Sequence, residues 1–250
     1  MLDNGEKELR HTNAVIDSSA VVSSDVTVGE GVRVGCLAVI ESGVSLGSHA
    51  VIGPRAYIGH GVSIGEGAVV EAGAVLMDGV QLGEGAVVKA GAVLGMDGFG
   101  YVFDGQSHLK IPQVGNVVIG RQAVIGSCSC VDRAASASTV IGDNTQIGRM
   151  VMVGHNCRIG CDCKIGDQTG LAGSSVVGNR CVIGRQCGLG MGVELGDDCT
   201  MLDRTTAQRK YPSGQNLAGS PGRPVAEVRR MEAAYHLLPK LLKSLEQNEK

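Results

Sequence analysis

From Ile16 an aliphatic residue recurs at every sixth position, through Val22, Val28, Val34, Ile40, Leu46, Ile52, Ile58, Ile64, Val70, Leu76, Leu82 and Val88 to Leu94. Two residues before each stands Ala or Val, and Gly often follows, as at Gly29, Gly35, Gly47 and Gly53. The phase returns at Ile119, Ile125 and Val131, and again from Ile141 through Ile147, Val153 and Ile159 to Met201. Side chains two apart in a strand share a face, so the aliphatic residue and its small predecessor both point inward. Gly and Asn supply a turn at low steric cost. A turn every six residues predicts three short strands per coil of about eighteen residues, stacked with a rise of about 4.8 Å. The pattern therefore predicts a three-sided parallel solenoid over residues 14–202.

Stepping through the hexads assigns Ile16, Val22 and Val28 to the first, second and third faces. Leu94 then falls on the second face and Ile119 on the third. The long insertion 96–116 leaves the corner between them. Val131 and Ile141 place the short insertion 132–138 at the same corner. His155 follows there one coil on, and Gly173 another eighteen residues on. Loops carry function where a rigid repeat is interrupted, so this ridge is the candidate site. The long insertion holds both Phe and one of the four Tyr, as Phe99, Tyr101 and Phe103. Such rings suit a ligand wall or a subunit contact, or else fold back as a plug. His155 reads either as a polar turn residue or as a general base.

Composition fits this picture. The 250 residues are 43% hydrophobic but only 2% aromatic, with 39 Gly and no Trp. Aliphatic columns need few rings. The net charge of −3 argues against a nucleic-acid partner. Thirteen basic against twenty acidic side chains over residues 1–202 give −7, whereas 203–250 carry +4. No apolar run reaches membrane-span length. The charged start, Met1–His11, is no secretory signal. Nine Cys without one predict free thiols and a cytoplasmic location. Cys157, Cys163, Cys181, Cys187 and Cys199 fall at the small inward position, as fillers. No zinc spacing appears, and His49, His60 and His108 do not share one edge, so no metal is expected.

Residues 1–13 read as a tail. Residues 203–222 read as irregular, and Val225–Gln247 as a helix that Pro239 kinks or divides. The helix is expected to cap the last coil.

The repeat resembles the left-handed parallel β-helix of hexapeptide-repeat proteins. That resemblance implies handedness and a homotrimer of parallel prisms. Asp97-Gly98-Phe99-Gly100-Tyr101, Lys110-Ile111-Pro112-Gln113, Asp132-Arg133, His155-Asn156 and Ala172-Gly173-Ser174, in that order, are similar to motifs of the UDP-3-O-acylglucosamine N-acyltransferases of lipid A synthesis. The resemblance implies transfer of a 3-hydroxyacyl group to the amine of an amino sugar, which can be UDP-linked. The donor is a thioester on the 4'-phosphopantetheine of acyl carrier protein or on coenzyme A, with no covalently bound cofactor. It implies His155 as general base and the Gly173 amide as oxyanion donor. Asp97, Phe99, Tyr101, Lys110, Gln113, Asp132, Asn156, Ser174 and Met191 would line the substrate site. Apart from the resemblance, Arg229 and Arg230 on the C-terminal helix read as a dock for the donor's carrier protein. The family's uridine-binding domain has no counterpart before the first hexad, and its second histidine aligns with Gly192. Two alternatives stand beside this reading. One is an acetyl-coenzyme A-dependent N-acetyltransferase. The other is a non-catalytic scaffold.

Overall fold

A computed structural model describes residues 13–248. Residues 1–12, most of the expected N-terminal tail, lie outside the described part. The chain winds as a left-handed parallel β-helix of about eleven turns, followed by one helix. Almost every strand is two residues long, and the second of each pair is the buried aliphatic residue, as in Val39–Ile40 and Ser45–Leu46. Three parallel sheets result. The first face runs from Val15–Ile16 to Asn216–Ala218, the second from Val21–Val22 to Thr206–Ala207, and the third from Thr27–Val28 to Glu194–Leu195. In coils without an insertion each strand residue pairs with the one eighteen ahead, such as Val15 with Arg33 and Val51 with Val69. The stack stays in register across the long insertion, where Leu94 pairs with Val131 and Leu82 with Ile119. Ile40, Ile58, Leu76, Leu94 and Ile125 are fully buried in one continuous core.

Where Gly follows the aliphatic residue, it meets a spacing requirement. A Cβ at Gly47 would lie 2.6 Å from the backbone nitrogen of Glu66, one coil on. At a strand spacing near 4.8 Å, the backbone of the next coil leaves no room for a side chain at Gly47. The five inward cysteines are buried as expected, and no cysteine is disulfide-bonded among the described residues.

Three expectations are corrected. The solenoid does not end at Met201. Thr206–Ala207 adds a strand to the second face and Asn216–Ala218 one to the first, and Ala207 and Leu217 are fully buried. The stretch 203–222 therefore contains built coil. Its Pro and Gly residues break the hexad spacing without breaking the strand stacking.

Secondly, Pro239 does not divide the C-terminal helix: α1, Val225–Asn248, runs through it as one element. Thirdly, α1 does not cap the last coil within one chain. It packs on Asn216–Ala218 and Arg223–Pro224, while Met231, Tyr235, Leu238 and Leu242 are exposed. Tyr211 closes the end instead. It is buried, and its hydroxyl donates to the Gly222 carbonyl at 2.9 Å.

Candidate active site

Both insertions leave the corner between the second and third faces, as the hexad count requires. The strand Val93–Asp97 outruns its neighbours, pairing Met96 with Asp132 and Asp97 with Arg133. Its register slips between Leu94 and Met96. Gly95 supplies the left-handed backbone there, at φ +88. Arg133 fixes this departure by donating from Nε to the Gly95 carbonyl at 2.7 Å and from Nη2 to the Asp78 carbonyl at 2.9 Å. Beyond it the chain forms an antiparallel hairpin, Tyr101–Phe103 with His108–Lys110.

The hairpin is not a plug. Phe99 is 85% exposed, and Tyr101, Val102, Phe103, Leu109 and Ile111 are also exposed. Phe99 and Tyr101 pack as a tilted ring pair 5.2 Å apart. The Lys110 ammonium pairs with the Asp97 carboxylate, so these two expected substrate contacts engage each other. Gln113 is buried, and its Oε1 has no hydrogen-bond partner. A buried amide oxygen left unpaired is costly, and an N–H donor brought by a ligand would relieve it.

His155 sits half-buried between two glycines. A Cβ at Gly98, in the hairpin's first turn, would lie 2.6 Å from the His155 Cβ. A Cβ at Gly173, one coil on, would lie 2.5 Å from Nε2. Only glycine at both positions lets the imidazole occupy this slot. The eighteen-residue step thus places Nε2 against the Gly173 backbone, as the ridge arithmetic expects. The Ser174 N–H donates to the His155 carbonyl at 2.8 Å, and Ser174 takes a left-handed φ of +62. Ser174 therefore contributes its backbone to the ridge.

Asn156 is engaged away from the ridge opening. Its Nδ2 donates to the Ser136 carbonyl at 2.9 Å, and its Oδ1 accepts the Ala135 N–H at 2.9 Å. Its own N–H donates to Thr139 Oγ1 at 2.9 Å. The same Oδ1 lies 3.2 Å from His155 Nδ1. The role expected of Asn156 from its place in the sequence, touching substrate, is occupied by these internal bonds. Only the fold shows that residue 156 reaches back twenty residues to the short loop.

Asp132 is 5% exposed beside this cluster. Burial pushes its carboxyl up to about 6. His155 pulls it down, and Asp97 pushes it further up. Removal from water is the dominant cause, because it disfavours the charged form. A hydrogen-bonded imidazole, a nearby titratable carboxyl and a backbone amide thus share one corner. Such a set can abstract a proton from a nucleophile and stabilise developing negative charge. Among the described residues, no group of three metal-ligating side chains could hold an ion.

Of the remaining expected residues, one continues the ridge and two lie apart. Met191 follows Gly173 on the ridge and is 77% exposed. Arg229 and Arg230 are exposed on α1, near the last strands, several coils beyond His155.

Residues 43–76, 61–95, 138–173 and 156–190 match the bacterial transferase hexapeptide family (six repeats). Residues 25–54 match the hexapeptide repeat of succinyl-transferase. A UDP-3-O-acylglucosamine N-acyltransferase of Methylobacterium nodulans is 34% identical over 134 residues, covering 54% of this chain and 38% of that protein. A second enzyme of that name, from Rhodopseudomonas palustris, is 35% identical over 150 residues, covering 57% and 40%. The chain thus spans about two fifths of the length of these relatives. Among solved structures, the UDP-N-acetylglucosamine acyltransferase of Francisella novicida aligns with a TM-score of 0.69 at 21% identity, covering 84% of this chain and 69% of that one. The Arabidopsis enzyme of the same name aligns at 0.67 and 24%, covering 86% and 76%. At these identities the structures share the fold.

Proposed function

We propose that this chain, a member of the hexapeptide-repeat acyltransferases similar to UDP-3-O-acylglucosamine N-acyltransferases, transfers an acyl group from a thioester to the amine of an amino sugar. The observation that carries this reading is the His155 imidazole lying against the Gly173 backbone, beneath Gly98 of the 96–116 insertion. The amine nitrogen attacks the thioester carbonyl carbon, and Nε2 takes the proton that the nitrogen must lose. The Gly173 N–H donates to the oxygen as it becomes an oxyanion. Collapse expels the thiolate, which recovers the proton from the imidazolium. The products are the amide and the free thiol.

The donor is the 4'-phosphopantetheine thioester of acyl carrier protein or a coenzyme A thioester, and the transferred group is a 3-hydroxyacyl chain. The acceptor is an amino sugar, UDP-linked in the relatives' name. Arg229 and Arg230, in the C-terminal segment that carries net positive charge, offer an acidic carrier protein a docking surface. We place the protein in the cytoplasm. No described helix is long and apolar enough to cross a membrane.

A homotrimer completes this reading. Outward positions on the first face read Val51, Val69, Val87 and Val124, and on the second Val39, Tyr57, Val75 and Val93. On the third face they read Thr27, Ser45, Ser63 and Gln81. Over these coils before the hairpin, two apolar faces and one polar face suit a closed ring in which the first face of one copy meets the second of the next; beyond it the first face turns polar at Gln146 and Lys164 and the third apolar at Val118, Val140 and Val176. The exposed hairpin rings then border a subunit cleft.

Product mass spectrometry after incubation with a panel of acyl thioesters and amino sugars tests the reaction. An N-acylated sugar is expected from long-chain 3-hydroxyacyl donors. Product from acetyl-coenzyme A alone would establish the shorter-chain alternative. His155→Ala is expected to lower kcat about 10²–10⁴-fold. A scaffold would show no turnover to lose. Gly173→Ala, whose methyl group would displace the ring, is expected to match that loss with little change in Tm.

A further inference from the structure

We infer that Asn156 is a positioning residue that locks His155 in the Nδ1–H tautomer, and that the loop 132–138 is the clamp that aims it. This rests on the reading of His155 as the base. A neutral imidazole carries one proton, and the hydrogen bond made by one nitrogen decides which nitrogen keeps its lone pair. A base whose Nε2 faces the Gly173 ridge must hold its proton on Nδ1. The atom beside Nδ1 is Asn156 Oδ1, at 3.2 Å.

The weak point of such an assignment is the amide, because its oxygen and nitrogen can be exchanged by a flip. Here the loop removes that freedom. The Ala135 N–H, a donor only, faces Oδ1 at 2.9 Å, and the Ser136 carbonyl, an acceptor only, faces Nδ2 at 2.9 Å. Flipping the amide would set donor against donor and acceptor against acceptor. With the amide fixed, Nδ1 faces an oxygen that can only accept, so Nδ1 carries the hydrogen.

The clamp is itself held. The Thr139 hydroxyl receives the Asn156 N–H. The return leg of the long insertion also bonds to the loop, with the Gly115 N–H on the Ala134 carbonyl at 3.0 Å and the Val114 N–H on the Ala135 carbonyl at 3.2 Å. A chain of hydrogen bonds therefore runs from the base of the hairpin through the short loop and Asn156 to the imidazole. This gives the short insertion a chemical role. Without its two backbone contacts, Asn156 could present its NH₂ group to Nδ1, and Nε2 would then carry the proton that disables it.

Two-bond ¹H–¹⁵N correlation spectra of histidine-labelled protein read the tautomer directly, with the His155 signal identified by its loss in His155→Ala. The Nδ1–H pattern is expected in the wild type. Asn156→Ala is expected to move the ring toward the Nε2–H form and to lower kcat about tenfold or more, with acceptor KM little changed. Asn156→Asp keeps an acceptor beside Nδ1 and is expected to retain the tautomer and recover much of the lost kcat. An Nε2–H pattern in the wild type would overturn the inference even if Asn156→Ala failed to fold. A raised acceptor KM with unchanged kcat and spectrum in Asn156→Ala would also overturn it, making Asn156 a substrate contact. If His155→Ala kept full turnover, the base reading would fall, while the spectra would still decide the lock.

Discussion

The coils before the hairpin and the coils after the short loop make the same turn with different atoms. In the first set the small inward position is Ala or Val, as at Val32, Ala50, Ala68 and Ala86. Its N–H bonds back to its own turn, as from Ala50 to the Gly47 carbonyl and from Ala68 to the Gly65 carbonyl, both at 3.2 Å. In the second set the position is often Ser, Thr or Cys. Thr169 donates to the Gly184 carbonyl at 2.9 Å and accepts the Cys187 N–H at 3.2 Å, and Thr145 does the same with Gly160 and Cys163. The left-handed turn residue changes too. Before the hairpin it is commonly Gly, as at Gly61, Gly67 and Gly73. Afterwards it is mostly a larger residue, including Met150, Gln168, Arg180 and Arg204. One fold thus tolerates two turn chemistries, and the candidate site lies at the changeover. The first set works by small volume and glycine freedom. The second works by hydroxyl and thiol bonds between coils, which offset left-handed strain.

The sharpest common constraint is spacing, and it carries the largest expected effect. Gly65→Ala would place a Cβ 2.6 Å from the Glu84 backbone nitrogen, and Gly166→Ala one 2.6 Å from the Gly184 carbonyl carbon. Each is expected to cost about 3 kcal/mol by denaturant titration. A large difference between the two would break the view that both sets share one coil geometry.

At the changeover, Asp132 has a folded pKa raised to about 6. The folded protein holds this proton more tightly than the unfolded chain, so stability falls as pH rises from about 4 through about 6. The full effect is of order 2–3 kcal/mol. Asn at residue 132 cannot titrate, so Asp132→Asn is expected to flatten that slope. It should gain about 2 kcal/mol over wild type at pH 7 and nothing at pH 3.5, measured by chemical denaturation at each pH.

The hydroxyl columns come next. Thr169→Val keeps the volume but leaves the Gly184 carbonyl and the Cys187 N–H without their partner, with an expected cost of about 2 kcal/mol. Equal stability would show that these bonds are incidental.

The smallest effect has opposite signs in the two sets. Gly61 has φ +64 and open space beyond it, so Gly61→Ala should cost about 1 kcal/mol for the backbone alone. Met150 has φ +53 and an exposed side chain, so Met150→Gly should stabilise by up to about 1 kcal/mol. Matched Tm measurements check both.

The hexad rhythm made the faces, the register and the shared corner legible before any coordinates. Face assignment needs only the count of residues, and stacking geometry converts that count into position. His155 beside Gly173 follows from the eighteen-residue step in the same way. What was not legible arises where the count fails. The coil beyond Met201 hides behind a break of spacing at Lys210–Ser213, although Ala207 and Leu217 still fill inward positions. The role of Asn156 depends on where the loop 132–138 folds back, which periodicity does not encode. The continuity of α1 through Pro239 is a local backbone outcome, and no hexad rule reaches it.

The in-register stacking has a consequence for how such a molecule can change length. Duplicating or deleting one eighteen-residue turn advances the thread by a whole step and restores every corner to its former azimuth. Relatives of different axial extent can therefore arise in increments of about 4.8 Å while the ridge keeps its bearing, so the protein grows as a ladder gains rungs.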